Sequence, residues 1–188
     1  MLFRSLGPTG IGLLFIKHDL HDSMVPYTLG GGMVYHADYH HAQWVKAPHK
    51  FEAGTPAVAQ AVGFAAAIEY LEKHISWPEL KQYEAQLCAQ LIDGLRQIPR
   101  IKIMGPLAQL KKEGHLVSWL VEGIHAHDVA AYLSSRGICV RAGNLCAQPL
   151  AQKLNAESLV RASFYFYNTP DEVAYLLECL NALIAKGF

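Results

Sequence analysis

The chain has 188 residues, 52% of them hydrophobic and 17% charged, which supplies material for a sizeable core and excludes a disordered polymer. Sixteen lysines and arginines balance sixteen aspartates and glutamates, so no net field recommends the surface to nucleic acid or to an anionic membrane. No apolar run approaches the ~18 residues of a bilayer span.

The N-terminal "MLFRSLGPTGIG" lacks the long apolar stretch and cleavage site of a secretory leader. After the glycine-bounded turn, "IGLLFI" has the length and continuous apolarity of a buried strand. Residues 18–55 show little periodicity. They contain Gly30-Gly31-Gly32, which follows no clear strand and suits a hinge or a close backbone approach better than a phosphate loop. His36, His40 and His41 invite a metal reading, but no acidic or cysteine ligand recurs at a supporting interval, so no metal is expected. Thr55-Pro56 reads as an N-cap followed by proline at the first helical position, and that helix start also offers N–H groups to an anion. The helix that follows, "AVAQAVGFAAAIEYLEKH", is apolar on nearly every side and should be deeply buried.

Ser76-Trp-Pro-Glu79 has the capping-box pattern, and Leu80, Tyr83, Leu87, Leu91, Leu95 and Ile98 carry an amphipathic helix to near Pro99. From residue 100 the period changes. "IKIM", "LVSWLVE", "GICVRAG" and "SLVRASFYFYN" read as strands, with a helix "HDVAAYLSSR" ending at Gly137 between the second and third. Thr169-Pro-Asp-Glu172 caps a last helix whose apolar face carries Val173, Leu176, Leu177, Leu180 and Ile184. The expected fold class is α/β, with residues 76–188 forming a small α+β domain and residues 1–55 belonging to something larger.

Alternation in "SLVRASFYFYN" puts Val160, Ala162, Phe164 and Phe166 on one face and Arg161, Ser163, Tyr165 and Tyr167 on the other. A mid-strand arginine suits either an internal ion pair on an exposed face or a bidentate grip on a carboxylate. Arg141, at the end of "ICVRAG", carries the same two readings. Cys146 lies five residues further on, in a loop, and is either a small apolar filler or a thiol held for chemistry beside a cation. Cys88, Cys139 and Cys179 fall within regular elements and read as fillers. None of the four makes a C-x-x-C pair, which speaks for reduced thiols and a cytoplasmic location.

Taken in order, "GPTGIGLLF", "KAPHKFEAGTP", "GICVRAGNLCAQPL" and "LVRASFYFYNT" resemble the group II cysteine desulfurases and selenocysteine lyases. These belong to the class V aminotransferases among fold-type I pyridoxal-phosphate enzymes. The resemblance covers residues 7–188 and implies the C-terminal half of such a protein. Residues 1–75 would be the end of the cofactor-binding large domain with an interface loop, and residues 76–188 the small domain carrying the cysteine loop.

By this resemblance Cys146 is the cysteine that accepts the substrate sulfur as a persulfide. Arg161 is the clamp on the substrate α-carboxylate, and Arg141 the arginine at the base of the cysteine loop. Thr55 reaches the phosphate of pyridoxal phosphate in a neighbouring subunit, so the active site is a property of a homodimer. The implied reaction converts L-cysteine to L-alanine and passes sulfur to an acceptor protein for iron–sulfur assembly or other sulfur traffic.

Two departures qualify this. Phe3 and Arg4 stand where the family has a histidine and the Schiff-base lysine, and a guanidinium cannot provide the deprotonated amine that chemistry needs. Asn144-Leu145 replaces a common histidine pair. The isolated chain is therefore expected to be inactive. The alternative is a non-catalytic or split-enzyme subunit completed by an N-terminal or full-length partner.

Overall fold

A computed structural model describes residues 6–186 and divides into two compact units that part between Ile75 and Ser76. In the first unit, β1 (Val34–Ala37) and β2 (Ala42–Trp44) form an antiparallel hairpin. Its turn is tied by Asp38, whose carboxylate accepts from the His40 and His41 amides at 2.7 Å each. Those two N–H groups hold Asp38 below the usual carboxylate range. The run Gly30-Gly31-Gly32 lies against Ala53-Gly54. A Cβ on Gly30 would sit 3.4 Å from both the Ala53 Cβ and the Gly54 nitrogen, and Gly54 N–H donates to the Gly31 carbonyl at 2.8 Å. The glycines thus serve a close approach of two backbones, one of the two uses open to them in the sequence.

Two expectations fail in this unit. "IGLLFI" forms no strand, and Leu13, Leu14 and Phe15 are 76%, 77% and 81% exposed. A strand needs a neighbour's peptide groups to complete its ladder, and among the described residues none is paired to this segment. The apolar helix α1 (Val58–His74) forms where periodicity placed it, but only Leu71 along it is fully buried. Val58, Val62 and Tyr70 face solvent. Apolarity on every side tells how much a helix could bury and nothing about what is there to cover it.

The second unit is a four-stranded antiparallel sheet in the order β3-β4-β6-β5. Its strands are β3 (Ile101–Met104), β4 (Leu116–Val121), β5 (Arg141–Gly143) and β6 (Leu159–Ser163). Helices α2 (Trp77–Leu95), α4 (Ala126–Ser134) and α6 (Pro170–Ala185) cover one face. Alternation along β4 sends Val117, Trp119 and Val121 into the core, where they meet Val160 and Ala162 of β6 and the leucine stripe of α2. The opposite face carries a smaller cluster of Met104, Ala156 and Leu159, joined by Leu120, Leu145 and Leu154.

Two short helices, α3 (Leu107–Glu113) and α5 (Gln148–Lys153), have no counterpart in the periodicity, being too short to show one. "GICVRAG" pairs only over its last three residues, and "SLVRASFYFYN" only over its first half. Ser76 stands at the N-cap of α2 without making its side-chain bond. At α6 the capping box is complete, with Thr169 Oγ1 accepting from Glu172 N–H and the Glu172 carboxylate from Thr169 N–H.

Core burial has a consequence for pH. Cys88 is fully buried on α2, and desolvation, reinforced by the Glu84 carboxylate, pushes its thiol up to about 12. In the unfolded chain the same thiol ionises near ~8.5–9. The native state therefore holds a proton that the unfolded chain loses. This contribution is whole below about pH 9 and declines, on the order of 1 kcal/mol per pH unit, as pH rises toward the native value. Thermal melts between about pH 9 and 11 should show Cys88→Ala with a visibly shallower fall of Tm than the native sequence; parallel slopes would refute the assignment.

Candidate active site

The register of the sheet brings the two candidate arginines together. Arg141 on β5 is the direct partner of Arg161 on β6, and Arg161 is in turn opposite Ser118 on β4. Strand alternation puts this row on the face away from the main core, where Arg161 is half-buried and Arg141 exposed. Two guanidinium-bearing residues thus stand opposite each other on one face of the sheet, a residue type suited to recognising a carboxylate.

Beyond β5 the chain turns sharply. Asn144 carbonyl accepts from Ala147 N–H at 2.8 Å, and the two residues between them, Leu145 and Cys146, have φ of +55° and +60°. Two consecutive left-handed residues mark a type I′-like turn, normally given to glycine or asparagine. Holding non-glycine residues there costs roughly 1–2 kcal/mol each. The outcome is an exposed Cys146 side chain folded back toward β5, with Arg141 Nη2 donating to Cys146 Sγ at 3.3 Å. The guanidinium thus lies at hydrogen-bond distance from the sulfur, the nucleophilic atom of cysteine.

Cys139, also exposed, lines a separate cavity of about 390 Å³ between the segment leading into β5 and α6. Cys88 and Cys179 are buried. Only Cys146 among the described cysteines has an arginine recorded at its sulfur.

Thr55 lies in the first unit. The N-cap of α1 is Ala57, two residues past the expected position, and no side chain caps it. The exposed Thr55 hydroxyl, beside Gly54 at φ +88°, is thus not spent on the helix. Val58 N–H donates to the Pro56 carbonyl and Ala61 N–H to the Ala57 carbonyl, each at 2.9 Å, which leaves the Thr55 hydroxyl and the amides between those two as the groups here suited to an anion. Phe3 and Arg4, at the place of the family's lysine, lie outside the described residues.

Two neighbours of the turn take places that the sequence alone does not indicate. Leu145 packs against the Met104–Ala156–Leu159 cluster. His127, at the start of α4, lies beside Gly143, where a Cβ would come 3.6 Å from its Nε2. The unusual Asn-Leu-Cys order in a turn was the available signal for the first; a histidine at a helix start carries none.

The pattern of the Aminotransferase class-V family matches residues 4–176. A cysteine desulfurase of Haloferax volcanii is 43% identical over 179 residues, which are 95% of this chain and 41% of that protein. A probable cysteine desulfurase of Staphylococcus aureus is 42% identical, over 94% of this chain and 42% of that protein. Among solved structures, the apo cysteine desulfurase of Thermococcus onnurineus NA1 superposes with a TM-score of 0.89 at 37% identity, over 97% of this chain and 45% of that one. The cysteine desulfurase CsdA of Escherichia coli gives 0.90 at 31% identity, over 98% and 45%. The chain thus spans less than half the length of these relatives.

Proposed function

Because the chain belongs to the Aminotransferase class-V family, we propose that it supplies the sulfur-accepting half of a cysteine desulfurase. In this reading residues 1–75 are the end of the large domain and residues 76–188 the small domain. The observation that carries it is the Arg141–Cys146 contact at 3.3 Å on an exposed turn beside Arg161. Arg161 grips the α-carboxylate of L-cysteine. Cys146 attacks the substrate sulfur as thiolate, so an S–S bond forms while the carbon–sulfur bond breaks, leaving a persulfide on the enzyme and alanine as product. Arg141 offsets the negative charge first on the thiolate and then on the terminal persulfide sulfur. Thr55, with the start of α1, would hold the phosphate of pyridoxal phosphate in the neighbouring subunit of a homodimer, and that cofactor when bound supplies the electron sink for the bond cleavage. Sulfur then passes to an acceptor protein.

Since arginine cannot form the Schiff base, the isolated chain is proposed to be inactive. Borohydride treatment of the chain with pyridoxal phosphate and L-cysteine should leave no reduced cofactor adduct and no alanine. Co-expression with the N-terminal portion of a related desulfurase should restore alanine production and place one extra sulfur on Cys146. An extra sulfur on Cys139 instead would overturn the assignment. The second reading, a subunit that completes a partner's site, is favoured by the exposed Leu13, Leu14, Phe15, Val58 and Val62 of the first unit. Size exclusion of the co-expressed pair tests it, and separate elution would reject it.

A further inference from the structure

We propose that Leu145 is the positioning residue for the sulfur-accepting thiol: an apolar anchor that holds the cysteine turn in its unfavourable backbone state so that Cys146 stays on Arg141. The inference rests on the reading of Cys146 as sulfur acceptor. It begins from a conflict in the backbone. Leu145 and Cys146 both have positive φ, and neither residue type adopts that region without cost. Such a conformation persists only where the surroundings over-determine it.

One tie is local, the Asn144 to Ala147 hydrogen bond, and a single bond of this kind contributes less than two left-handed residues cost. The second tie is the Leu145 side chain. It packs into the cluster of Met104, Ala156 and Leu159, with Leu120 and Leu154 around it. Leu145 is half-buried there, so its apolar contacts add to the hydrogen bond in holding the turn. Helix α5 begins immediately after the turn and buries Ala151, and Ala156 N–H returns to the Ala151 carbonyl at 2.9 Å. The turn is therefore pinned from both sides, by the cluster and by α5, while the thiol between the pins remains exposed.

The same geometry explains why a leucine can stand there. With Leu145 turned onto the sheet face, the next residue is directed back toward β5, where Arg141 Nη2 reaches its sulfur. If the anchor is lost, the turn relaxes to ordinary backbone angles and the sulfur leaves the guanidinium.

A double-mutant cycle on the full chain tests this, read as the iodoacetamide alkylation rate of Cys146 at neutral pH by peptide mapping. Arg141→Ala should slow alkylation about fivefold, as loss of a neighbouring cation predicts. Leu145→Ala should slow it to a similar extent, and the double variant should be no slower than Arg141→Ala alone. Leu145→Met, which keeps the apolar anchor, should restore the native rate. If Arg141→Ala slows the reaction and Leu145→Ala does not, the anchor is refuted and the active-site reading stands. Additive losses in the double variant refute the anchor equally, because Leu145 would then act by a route other than Arg141. If Arg141→Ala itself has no effect, the active-site reading fails and the anchor with it. Thermal melts of each variant, matched to the labelling temperature, separate a change at the turn from global unfolding.

Discussion

Iodoacetamide should modify Cys146 at least ~10³ times faster than Cys88 at pH 7. The size follows from the environment of each sulfur. Burial and Glu84 push the Cys88 thiol up to about 12, so its thiolate fraction near neutrality is on the order of 10⁻⁵. An ordinary exposed thiol holds a few per cent, and Cys146 is exposed with a guanidinium at 3.3 Å from its sulfur. Cys139 is the informative control, being exposed without a recorded arginine contact. It should lag Cys146 by several-fold. Equal rates at Cys139 and Cys146 would return Cys146 to a turn filler that merely happens to face solvent. Modification of Cys88 within tenfold of Cys146 would mean that the second unit opens far more readily than its packing implies.

The second large effect concerns the scaffold. Trp119→Ala should destabilise the second unit by about 3–5 kcal/mol, the range for deleting a buried aromatic side chain. Trp119 is the largest fully buried residue, set in mid-sheet between Ile103 of β3 and Val160 of β6 and covered by the helices of the core face. A small domain is stable by only about 5–15 kcal/mol, so the variant should lose a large part of its margin. Trp119→Phe offers a contrast. The indole Nε1–H has no hydrogen-bond partner among the described residues, so the phenyl ring removes an unsatisfied donor together with some volume. Its cost should be well below that of alanine. Urea titration, with the transition slope unchanged and the midpoint lowered, is the measurement. A loss under about 1 kcal/mol for Trp119→Ala would contradict the core described here.

What the sequence made legible depended on whether a signal was local. The α6 capping box, the leucine stripe of α2 and the alternation of Val160, Arg161 and Ala162 were readable because a few neighbouring residues decide each one. The pairing of Arg141 with Arg161 was not, since register belongs to two strands and both arginines looked alike in isolation. "IGLLFI" and α1 show the limit from the other side. Their apolarity was read as burial, yet burial requires a second surface that no single segment can announce. At the site, the four ordered motifs single out Cys146, Arg141, Arg161 and Thr55 as candidates by resemblance. The left-handed turn that sets the thiol's direction was invisible, because Leu and Cys are the residue types that propensity would place there last.

The short strand β5 has a bearing on how firmly such a sulfur is held. It contributes three residues at the outer edge of the sheet and is bonded to β6 alone. Releasing it would leave the β3–β4–β6 ladders intact, while α5 and the Leu145 contacts would keep the turn bearing Cys146 on the sheet face. Local openings of this kind lie at the low end of a protein's free-energy scale. The edge can therefore loosen beside the cysteine turn while the frame that carries Arg161 and the core stays still.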